Sequence, residues 1–302
     1  MRVFVTGASG HIGAALVPDL VQAGHEVVGL ARSDSAAAVL EQRGADVVRG
    51  DLADLDGLRE AASEADGVIH LAFDHDAMRA GDLEGAGASD LAAARALADG
   101  LGGGAKPFVG TSGTLMLTLG GLDRVGTEDD AIDGGYRVDT ENFVIALADR
   151  DIRSSVLRLP PVVHSSFDKH GFIPMLIGVA RTTGRSGYVE DGANRWPAAH
   201  TLDVARLYRL ALEGAPAGSR LHAVGDEGIP LLQIAEAIGR NLGVPSGSIP
   251  TDEVQSHFGF AAFVVALDNP TTSARTRELL DWRPTHPGLL ADLGEGHYFE
   301  AA

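Results

Sequence analysis

The chain has 302 residues, 45% of them hydrophobic, and it carries a formal net charge of −18. This length suits one large domain or two unequal ones. Nucleic acids and anionic membrane surfaces attract clustered lysine and arginine, so the acidic balance argues against both as partners. The sequence shows no apolar run of about 18 residues that would span a membrane, no basic-then-apolar leader and no cysteine for a disulfide. We therefore expect a cytoplasmic protein.

A glycine-rich turn between Thr6 and Gly13 reads T-G-A-S-G-H-I-G. It follows an apolar run and precedes an amphipathic stretch, which is the order of strand, turn and helix that binds dinucleotides. Gly7 can adopt backbone angles closed to residues with a Cβ, Gly10 leaves room for a pyrophosphate, and Gly13 lets the helix pack against the strand. The N–H groups at the helix N-terminus would face the phosphates. The predicted cofactor contacts in this turn are Gly7, Ser9, Gly10, His11, Ile12 and Gly13.

The first 160 residues alternate between apolar runs and helical stretches. The predicted strands are Val3–Thr6, Glu26–Leu30, Asp46–Arg49, Gly67–Leu71, Pro107–Thr111 and Ser154–Leu159. Helical patterns lie between them, near residues 11–23, 34–43, 54–63, 88–101 and 134–149. Repeated strand–helix alternation with short loops predicts an α/β fold with a doubly wound parallel sheet, a Rossmann domain.

After Pro160 the pattern changes. The later elements predicted in chain order are a helix over 171–183, a strand near Tyr188, a loop over 191–197, a helix Val204–Glu213 with Asp203 as its N-cap, a strand Leu221–Val224 and a helix Leu231–Leu242. We predict a dinucleotide-binding domain over 1–160, with return elements near 200–228. Residues 161–199 and 229–302 would form a smaller, discontinuous C-terminal substrate lobe, with the substrate cleft between the two units.

Arg32 lies at the end of the second predicted strand. An NAD site usually places an acidic residue there to bind the ribose 2′-hydroxyl, whereas an arginine suits the 2′-phosphate of NADP. A solvated loop arginine is the simpler interpretation of the same residue. We predict NADP as the cofactor and keep NAD as the alternative.

With these motifs in view, the sequence resembles the short-chain dehydrogenase/reductase superfamily, in its extended and atypical branch. The matching stretches are the glycine turn, Gly50-Asp51-Leu52, His70-Leu71-Ala72, Thr111-Ser112, Leu157-Arg158-Leu159 and His200-Thr201-Leu202-Asp203-Val204-Ala205. The resemblance implies that Asp51 and Leu52 flank the adenine of the cofactor. It also implies that Leu71, Ala72 and Phe73 line the nucleotide path, and that Pro160 to Val163 lie near the nicotinamide.

Such enzymes carry a proton-transferring tyrosine four residues before a lysine on one helix, where positions i and i+4 share a face. This chain lacks the pair, because its only lysines are Lys106 and Lys169. Two alignments stay open. One puts Tyr136 in the tyrosine position and Thr140 in the lysine position.

The other alignment is anchored on Glu141, which the family tends to place four residues after the lysine. It puts Arg137 in the lysine position and Asp133 in the tyrosine position. This resembles an atypical subgroup that uses H-x-x-x-R, although the histidine is absent here. We prefer this alignment because it keeps a cation beside the ribose.

The candidate catalytic residues are therefore Ser112, Tyr136 and Arg137. Ser112 follows the fifth predicted strand, where α/β active sites form. Arg137 would bind ribose hydroxyls and stabilise an oxyanion, but it stays protonated and cannot be a general base. Tyr136 would reach the cleft if its helix starts after the preceding glycine pair, residues 134–135.

Histidines supply further candidates. His70 falls in a buried strand and is predicted to be structural, whereas His164, His170 and His200 lie in segments that could face the cleft and supply a proton. No histidine spacing matches a zinc site, so no metal is expected.

The leading prediction is an NADPH-linked carbonyl reductase or dehydrogenase with an atypical active site, acting on a small-molecule substrate. One alternative is a regulatory protein that senses NADP without turnover. Another is a sugar-nucleotide epimerase or dehydratase, a chemistry that relies on the missing tyrosine and lysine. A homodimer stays open.

Overall fold

A seven-stranded, all-parallel sheet lies at the centre of the structure, a computed structural model that describes residues 1–300. Its strands are β1 (Arg2–Thr6), β2 (Glu26–Ala31), β3 (Asp46–Arg49), β4 (Gly67–His70), β5 (Lys106–Gly113), β6 (Ile152–Leu159) and, after three strands of other sheets, β10 (Ser219–His222). The strand order across the sheet is β10-β6-β5-β4-β1-β2-β3. The predicted doubly wound fold is confirmed.

Because β1 pairs with β2 on one side and β4 on the other, the order of connection reverses between β1 and β4. Ligands of doubly wound sheets bind at such a switch point, beyond the carboxyl ends of the strands. The predicted glycine turn follows β1, so the topology places it at this crevice.

Helices cover both faces of the sheet and exclude water from it. In chain order the helices of the first half are α1 (His11–Gln22), α2 (Asp34–Gln42), α3 (Leu55–Ser63), α4 (His75–Arg79), α5 (Leu83–Leu101), α6 (Leu115–Leu119) and α7 (Val138–Ala146), the last continued by a 3₁₀ turn over Leu147–Arg150. α1 and α9 (Thr201–Gly214) share one buried cluster with the sheet, and α3, α5 and α7 share the other. Alanines on α5 and Gly100 allow close packing against α3, since a Cβ at Gly100 would overlap the Arg59 carbonyl.

The remaining strands form two small sheets. One contains β7 (Val162–His164), β9 (Arg195–His200) and β11 (Asp226–Pro230), and the other pairs β8 (Ser186–Val189) with β12 (Ser246–Ile249). A further helix, α12 (Ala274–Leu280), packs against α9 and β10. The helices around the two small sheets are α8 (Phe172–Thr183), α10 (Leu231–Leu242), α11 (Val254–Phe258) and α13 (Leu289–Gly294). They enclose a second hydrophobic core around the fully buried Trp196. None of the helices within residues 1–300 combines the length and apolarity that a membrane crossing requires.

Two local predictions for the second half of the chain are wrong. The predicted loop over 191–197 ends at Asn194, because Arg195, Trp196 and Pro197 begin β9. Proline and alanine have low strand propensity, but burial of Trp196 in the second core overrides it.

Asp203 is also not an N-cap. The helix α9 starts at Thr201, and His200 caps it by accepting a hydrogen bond from the Leu202 amide at 3.2 Å. The Asp203 carboxylate is instead 1% exposed. It accepts hydrogen bonds from the Thr285 amide (3.0 Å), the His286 amide (3.1 Å) and the His286 ring (2.8 Å). Asp203 therefore fastens the C-terminal segment to the nucleotide-binding half.

Replacing Asp203 with alanine tests this contact. We expect Asp203→Ala to lower the free energy of unfolding by about 3 kcal/mol, because buried donors lose a charged acceptor. Urea denaturation followed by circular dichroism measures the loss. Asp99→Ala is the matched control, since Asp99 forms only an exposed ion pair with Arg150, whose loss costs about 0–1 kcal/mol. Equal midpoints for the two variants would contradict the fastening role.

Candidate cofactor and active site

The glycine turn has the shape of a phosphate cradle. Gly7 has a φ of +69°, and a Cβ there would lie 2.8 Å from the Ala72 amide nitrogen. A Cβ on Gly13 would overlap the Ala8 carbonyl. At Gly10, the N-cap of α1, an added Cβ would meet only the Gly7 carbonyl within 4 Å, at 3.2 Å, so the space above it is open. These residues fit a dinucleotide, whose pyrophosphate needs open space at a helix N-terminus.

The other residues of the turn surround this opening. Ser9 and Ile12 are half-buried, and the His11 ring lies 2.8 Å from the Thr201 hydroxyl. Burial lowers the pKa of His11 to about 4, and the nearby rings of His164, His170 and His200 act in the same direction. His11 is therefore neutral at physiological pH and brings no charge to the phosphates.

Arg32 is exposed at the end of β2 and forms no ion pair within residues 1–300. The acidic side chain nearest in sequence, Asp34, pairs with Arg49 at 2.6 Å. The end of β2 therefore presents the Arg32 cation to solvent, whereas the nearby Asp34 carboxylate is paired with Arg49.

The residues predicted to contact the rest of the cofactor lie along the same edge of the sheet. Asp51 is exposed and accepts a hydrogen bond from the Ala53 amide at 2.8 Å. Leu52, Leu71 and Val163 are half-buried and pack against the hydrophobic cores of the sheet. Ala72 and Phe73 are also half-buried, whereas Pro160 is buried.

A buried chain of polar groups connects the turn to α5. The Ala72 amide donates to the Thr6 hydroxyl at 3.2 Å, and this hydroxyl lies 2.7 Å from His70 Nδ1. The hydroxyl can donate to Nδ1 or accept from it, and the other ring nitrogen, Nε2, faces α5. That nitrogen lies 3.2 Å from the Asp90 carboxylate, and all three residues are buried. His70 is thus structural, as its sequence context predicts.

Asp90 carries a charge inside this chain of contacts. Burial opposes its ionisation, yet the His70 ring 3.2 Å away and the charge of Arg137 hold the pKa of Asp90 below its ordinary value. One oxygen, Oδ2, has no hydrogen-bond partner within the described chain, and neither does Arg137 Nε. The carboxylate therefore supplies a negative charge behind Arg137.

Arg137 lies across the ring of Phe73. Its guanidinium carbon is 4.0 Å from the ring centre, within the range of a cation–π contact. One terminal nitrogen donates to the Thr111 carbonyl at 3.2 Å, and the Thr111 hydroxyl donates to the His70 carbonyl at 2.7 Å. These contacts hold a permanent cation at the carboxyl ends of β4 and β5.

Two further rings adjoin Phe73. The Tyr136 ring centre is 6.4 Å from that of Phe73, and the His75 ring centre is 5.4 Å from it in an edge-on arrangement. We call Phe73, His75, Tyr136 and Arg137 the Phe73 cluster. Burial raises the pKa of Tyr136 although the charge of Arg137 opposes the rise. The phenol therefore stays protonated.

The helix that was expected over 134–149 begins only at Val138, with Arg137 as its N-cap. Gly135 takes a φ of +140°, which delays the helix start. Tyr136 therefore lies outside the helix, and its main chain packs directly on α5 at Gly87, where a Cβ would overlap the Tyr136 carbonyl. Asp133, the tyrosine position in the preferred alignment, is exposed in the preceding loop. In neither alignment, therefore, do a tyrosine and a cation lie four residues apart on α7.

Ser112 does not join the Phe73 cluster. Its side chain is 2% exposed beneath α7, and its hydroxyl has no hydrogen-bond partner within residues 1–300. The adjacent buried carboxylate, Glu141, lies 2.6 Å from Arg158 and 2.9 Å from Arg220. Burial opposes ionisation, but the hydrogen bonds from Arg158 hold the pKa of Glu141 below its ordinary value. Strand alternation aims Ser112 at this ion-pair network, so we do not assign it a substrate contact.

The three histidines predicted for the cleft lie near His11, and two of them already have partners within the fold. His164 is fully buried and lies 2.8 Å from Asp292, and His200 caps α9 while its ring stacks on His286 at 4.8 Å. His170 is exposed.

Two members of the site escaped sequence analysis. Asp90 had a detectable signal, because it is a charged residue on the buried alanine stripe of α5, in step with Ala86 and Ala94. His75 had none, since only the folded chain brings the segment after β4 to Arg137.

Comparisons with known proteins agree with this architecture. A model of the NAD dependent epimerase/dehydratase family matches residues 3–101. An uncharacterized protein of Saccharomyces cerevisiae is 45% identical over 298 residues, which cover 97% of this chain and 98% of the yeast protein. A 2-alkyl-3-oxoalkanoate reductase of Stenotrophomonas maltophilia is 27% identical over 261 residues, covering 81% of this chain and 77% of the reductase.

Among solved structures, the dTDP-glucose 4,6-dehydratase DesIV of Streptomyces venezuelae, determined with NAD bound, aligns with a TM-score of 0.74 at 19% identity. The alignment covers 99% of this chain and 98% of that chain, and it shows the shared fold. The chain belongs to one family with the yeast protein, and its matched first third and its fold are those of the short-chain dehydrogenase/reductase superfamily.

Proposed function

We propose that the protein is an NADPH-linked reductase of a small carbonyl compound. The observation that carries the proposal is the Arg137 guanidinium, which lies on Phe73 at the carboxyl ends of β4 and β5, beside Tyr136. A fixed cation next to a phenol is suited to a carbonyl oxygen that gains negative charge during reduction.

The glycine turn and the end of β2 would hold the cofactor. The open space above Gly10 receives the pyrophosphate, and Arg32 contacts the 2′-phosphate. When bound, the nicotinamide supplies the hydride for the carbonyl carbon. Arg32 supports NADP over NAD, because the exposed residue directly after β2 is basic, whereas NAD sites usually place an acidic residue there to bind the ribose 2′-hydroxyl.

At the substrate, Arg137 stabilises the negative oxygen by charge and cannot itself release a proton. The hydroxyl of Tyr136, kept protonated by burial, donates a hydrogen bond to the same oxygen. The Stenotrophomonas relative is named a reductase of an oxoalkanoate, a carbonyl compound, which supports this reaction class.

Two other functions make different predictions. A regulator that senses NADP would bind the cofactor without turning over any carbonyl compound. A sugar-nucleotide epimerase or dehydratase would convert a nucleoside-diphosphate sugar. The absence of a tyrosine–lysine pair disfavours the latter, since that chemistry relies on it.

Two glycine variants test the cradle. We expect Gly10→Ala to weaken NADPH binding at least about tenfold, because its methyl group enters the open phosphate space, with only a small fall in melting temperature from the tight contact with the Gly7 carbonyl. Gly13→Ala should lower the melting temperature as well, since its Cβ would overlap the Ala8 carbonyl. Fluorescence titration with NADPH and thermal denaturation measure the two effects. Unchanged NADPH affinity in Gly10→Ala would place the phosphates elsewhere.

Arg32→Ala tests the cofactor preference. Loss of a charged contact to the 2′-phosphate should raise the dissociation constant of NADPH about 10- to 100-fold and change that of NADH less than about twofold. The control is Arg59→Ala, which removes an exposed arginine that pairs with Asp56 on α3. Equal losses for the two cofactors would refute the 2′-phosphate contact.

Arg137→Leu tests the reaction itself. We expect kcat for reduction of a carbonyl panel to fall about a hundredfold or more, because the oxyanion loses its cation, and Arg137→Lys should recover part of the loss. Steady-state kinetics measure both variants, and Arg150→Leu on the surface is the control. Undiminished kcat in Arg137→Leu would remove Arg137 from the reaction. Tight NADPH binding by the wild type without turnover of any panel member would favour the sensor.

A further inference from the structure

Neither Arg137 nor Tyr136, the two polar groups proposed to contact the substrate oxygen, releases a proton readily. Arg137 keeps its protons, and burial makes the Tyr136 phenol a weaker acid than usual. A lysine one helical turn away would lower the pKa of the phenol, whereas here burial raises it. The reduced oxygen must nevertheless gain a proton, so a further group has to supply it.

We propose that His75 is the catalytic residue that exchanges this proton with the substrate oxygen. The inference rests on the proposed function, because it names the proton donor of that reaction. His75 is the first residue of α4, and its ring meets the edge of Phe73 at a centre distance of 5.4 Å. Phe73 carries the Arg137 guanidinium 4.0 Å from its centre, so the proposed donor and the oxyanion cation share one aromatic ring.

The ring of His75 is available for the task. His75 is exposed to solvent, and neither ring nitrogen is hydrogen-bonded within the described residues. The histidines buried nearby are already engaged, His70 with Thr6 and His11 with Thr201. His75 can therefore take a proton from solvent and pass it to a bound substrate.

Local structure holds His75 in place. Asp74 caps α4, because its side chain accepts hydrogen bonds from the Asp76 amide at 3.1 Å and the Ala77 amide at 2.9 Å. This cap fixes the backbone of His75 at the helix start directly after Phe73.

The charged groups around His75 oppose its protonation. Partial burial lowers the pKa of His75 below its usual 6.5, and Arg137 and Arg79 lower it further, while Asp76 and Asp74 act in the opposite direction. At neutral pH the imidazole is mostly neutral. The neutral imidazole can accept a proton when an alcohol is oxidised. The protonated imidazolium, because its pKa is lowered, donates its proton more easily than an ordinary histidine.

The proton transfer balances as follows. In reduction, hydride arrives at the carbonyl carbon, the C–O π electron pair moves to oxygen, and the N–H bond of the His75 imidazolium breaks as the O–H bond forms. The nitrogen keeps the electron pair, and neutral His75 is reprotonated by solvent. Reduction needs the protonated ring, so its kcat/KM should rise as the pH falls through the lowered pKa of His75, whereas oxidation should be favoured above that pKa.

His75→Gln tests the role in turnover. We expect kcat for carbonyl reduction to fall about 100-fold, the acid-side rise of the pH profile to disappear, and the dissociation constant of NADPH to stay unchanged. Tyr136→Phe should lower kcat but keep the acid-side rise. The matched control is His25→Gln, since His25 precedes β2 at the opposite, amino-terminal edge of the sheet. Added imidazole should restore part of the activity of His75→Ala, which a purely structural histidine would not allow.

A proton NMR titration of the histidine rings supplies a readout that needs no turnover. The resonance that is lost in His75→Gln should titrate below pH 6.5 in the wild type and at higher pH in Arg137→Leu, because a neighbouring cation is removed. An unshifted titration in Arg137→Leu, or full activity with an intact pH profile in His75→Gln, would overturn the role of His75 and leave the reductase proposal standing. A wild type that reduces no carbonyl compound would overturn both.

Discussion

The site depends on the buried contact between Thr6, His70 and Asp90. It joins the ends of β1 and β4 to the middle of α5, and so it holds the glycine turn, the Phe73 segment and the charge behind Arg137 in one arrangement. The hydroxyl–imidazole–carboxylate chain is almost fully buried. Removing one partner would leave a polar group without water or a hydrogen bond, a cost of about 1–3 kcal/mol, more for a charged group. This cost keeps the switch point of the sheet in a single geometry.

Arg137 lies at the N-cap of α7 and not one helical turn after a tyrosine, yet it still places a cation at the carboxyl edge of the sheet. A lysine on a helix would lower the pKa of a tyrosine one turn away, whereas here Tyr136 lies before the helix and burial raises its pKa. The arrangement separates two tasks that one tyrosine–lysine pair performs. Arg137 and Tyr136 stabilise charge on the oxygen, and in our proposal His75 moves the proton. The solvent-exposed edge of the cluster suits such an exchange.

Sequence analysis predicted the strand–turn–helix unit well because the required residues are contiguous there. The glycines of the turn, the apolar runs of the strands and the order of elements are local signals, and the structure agrees with them closely. The same reasoning failed for Asp203, which looked like a helix cap but binds residues more than 80 positions away. It also overrated Ser112, since the facing helix that buries its hydroxyl cannot be read from the strand that carries it.

By itself, therefore, the sequence determined the doubly wound sheet and the dinucleotide cradle, because hydrophobic periodicity and glycine conformation act over a few residues. It also established that no tyrosine–lysine pair exists. Only the tertiary structure decided which side chains replace that pair. Phe73 and His75 follow β4, whereas Tyr136 and Arg137 precede α7, and a parallel sheet brings such distant segments together at its carboxyl edge. Their grouping depends on strand order and close packing at Gly87, which no local pattern encodes.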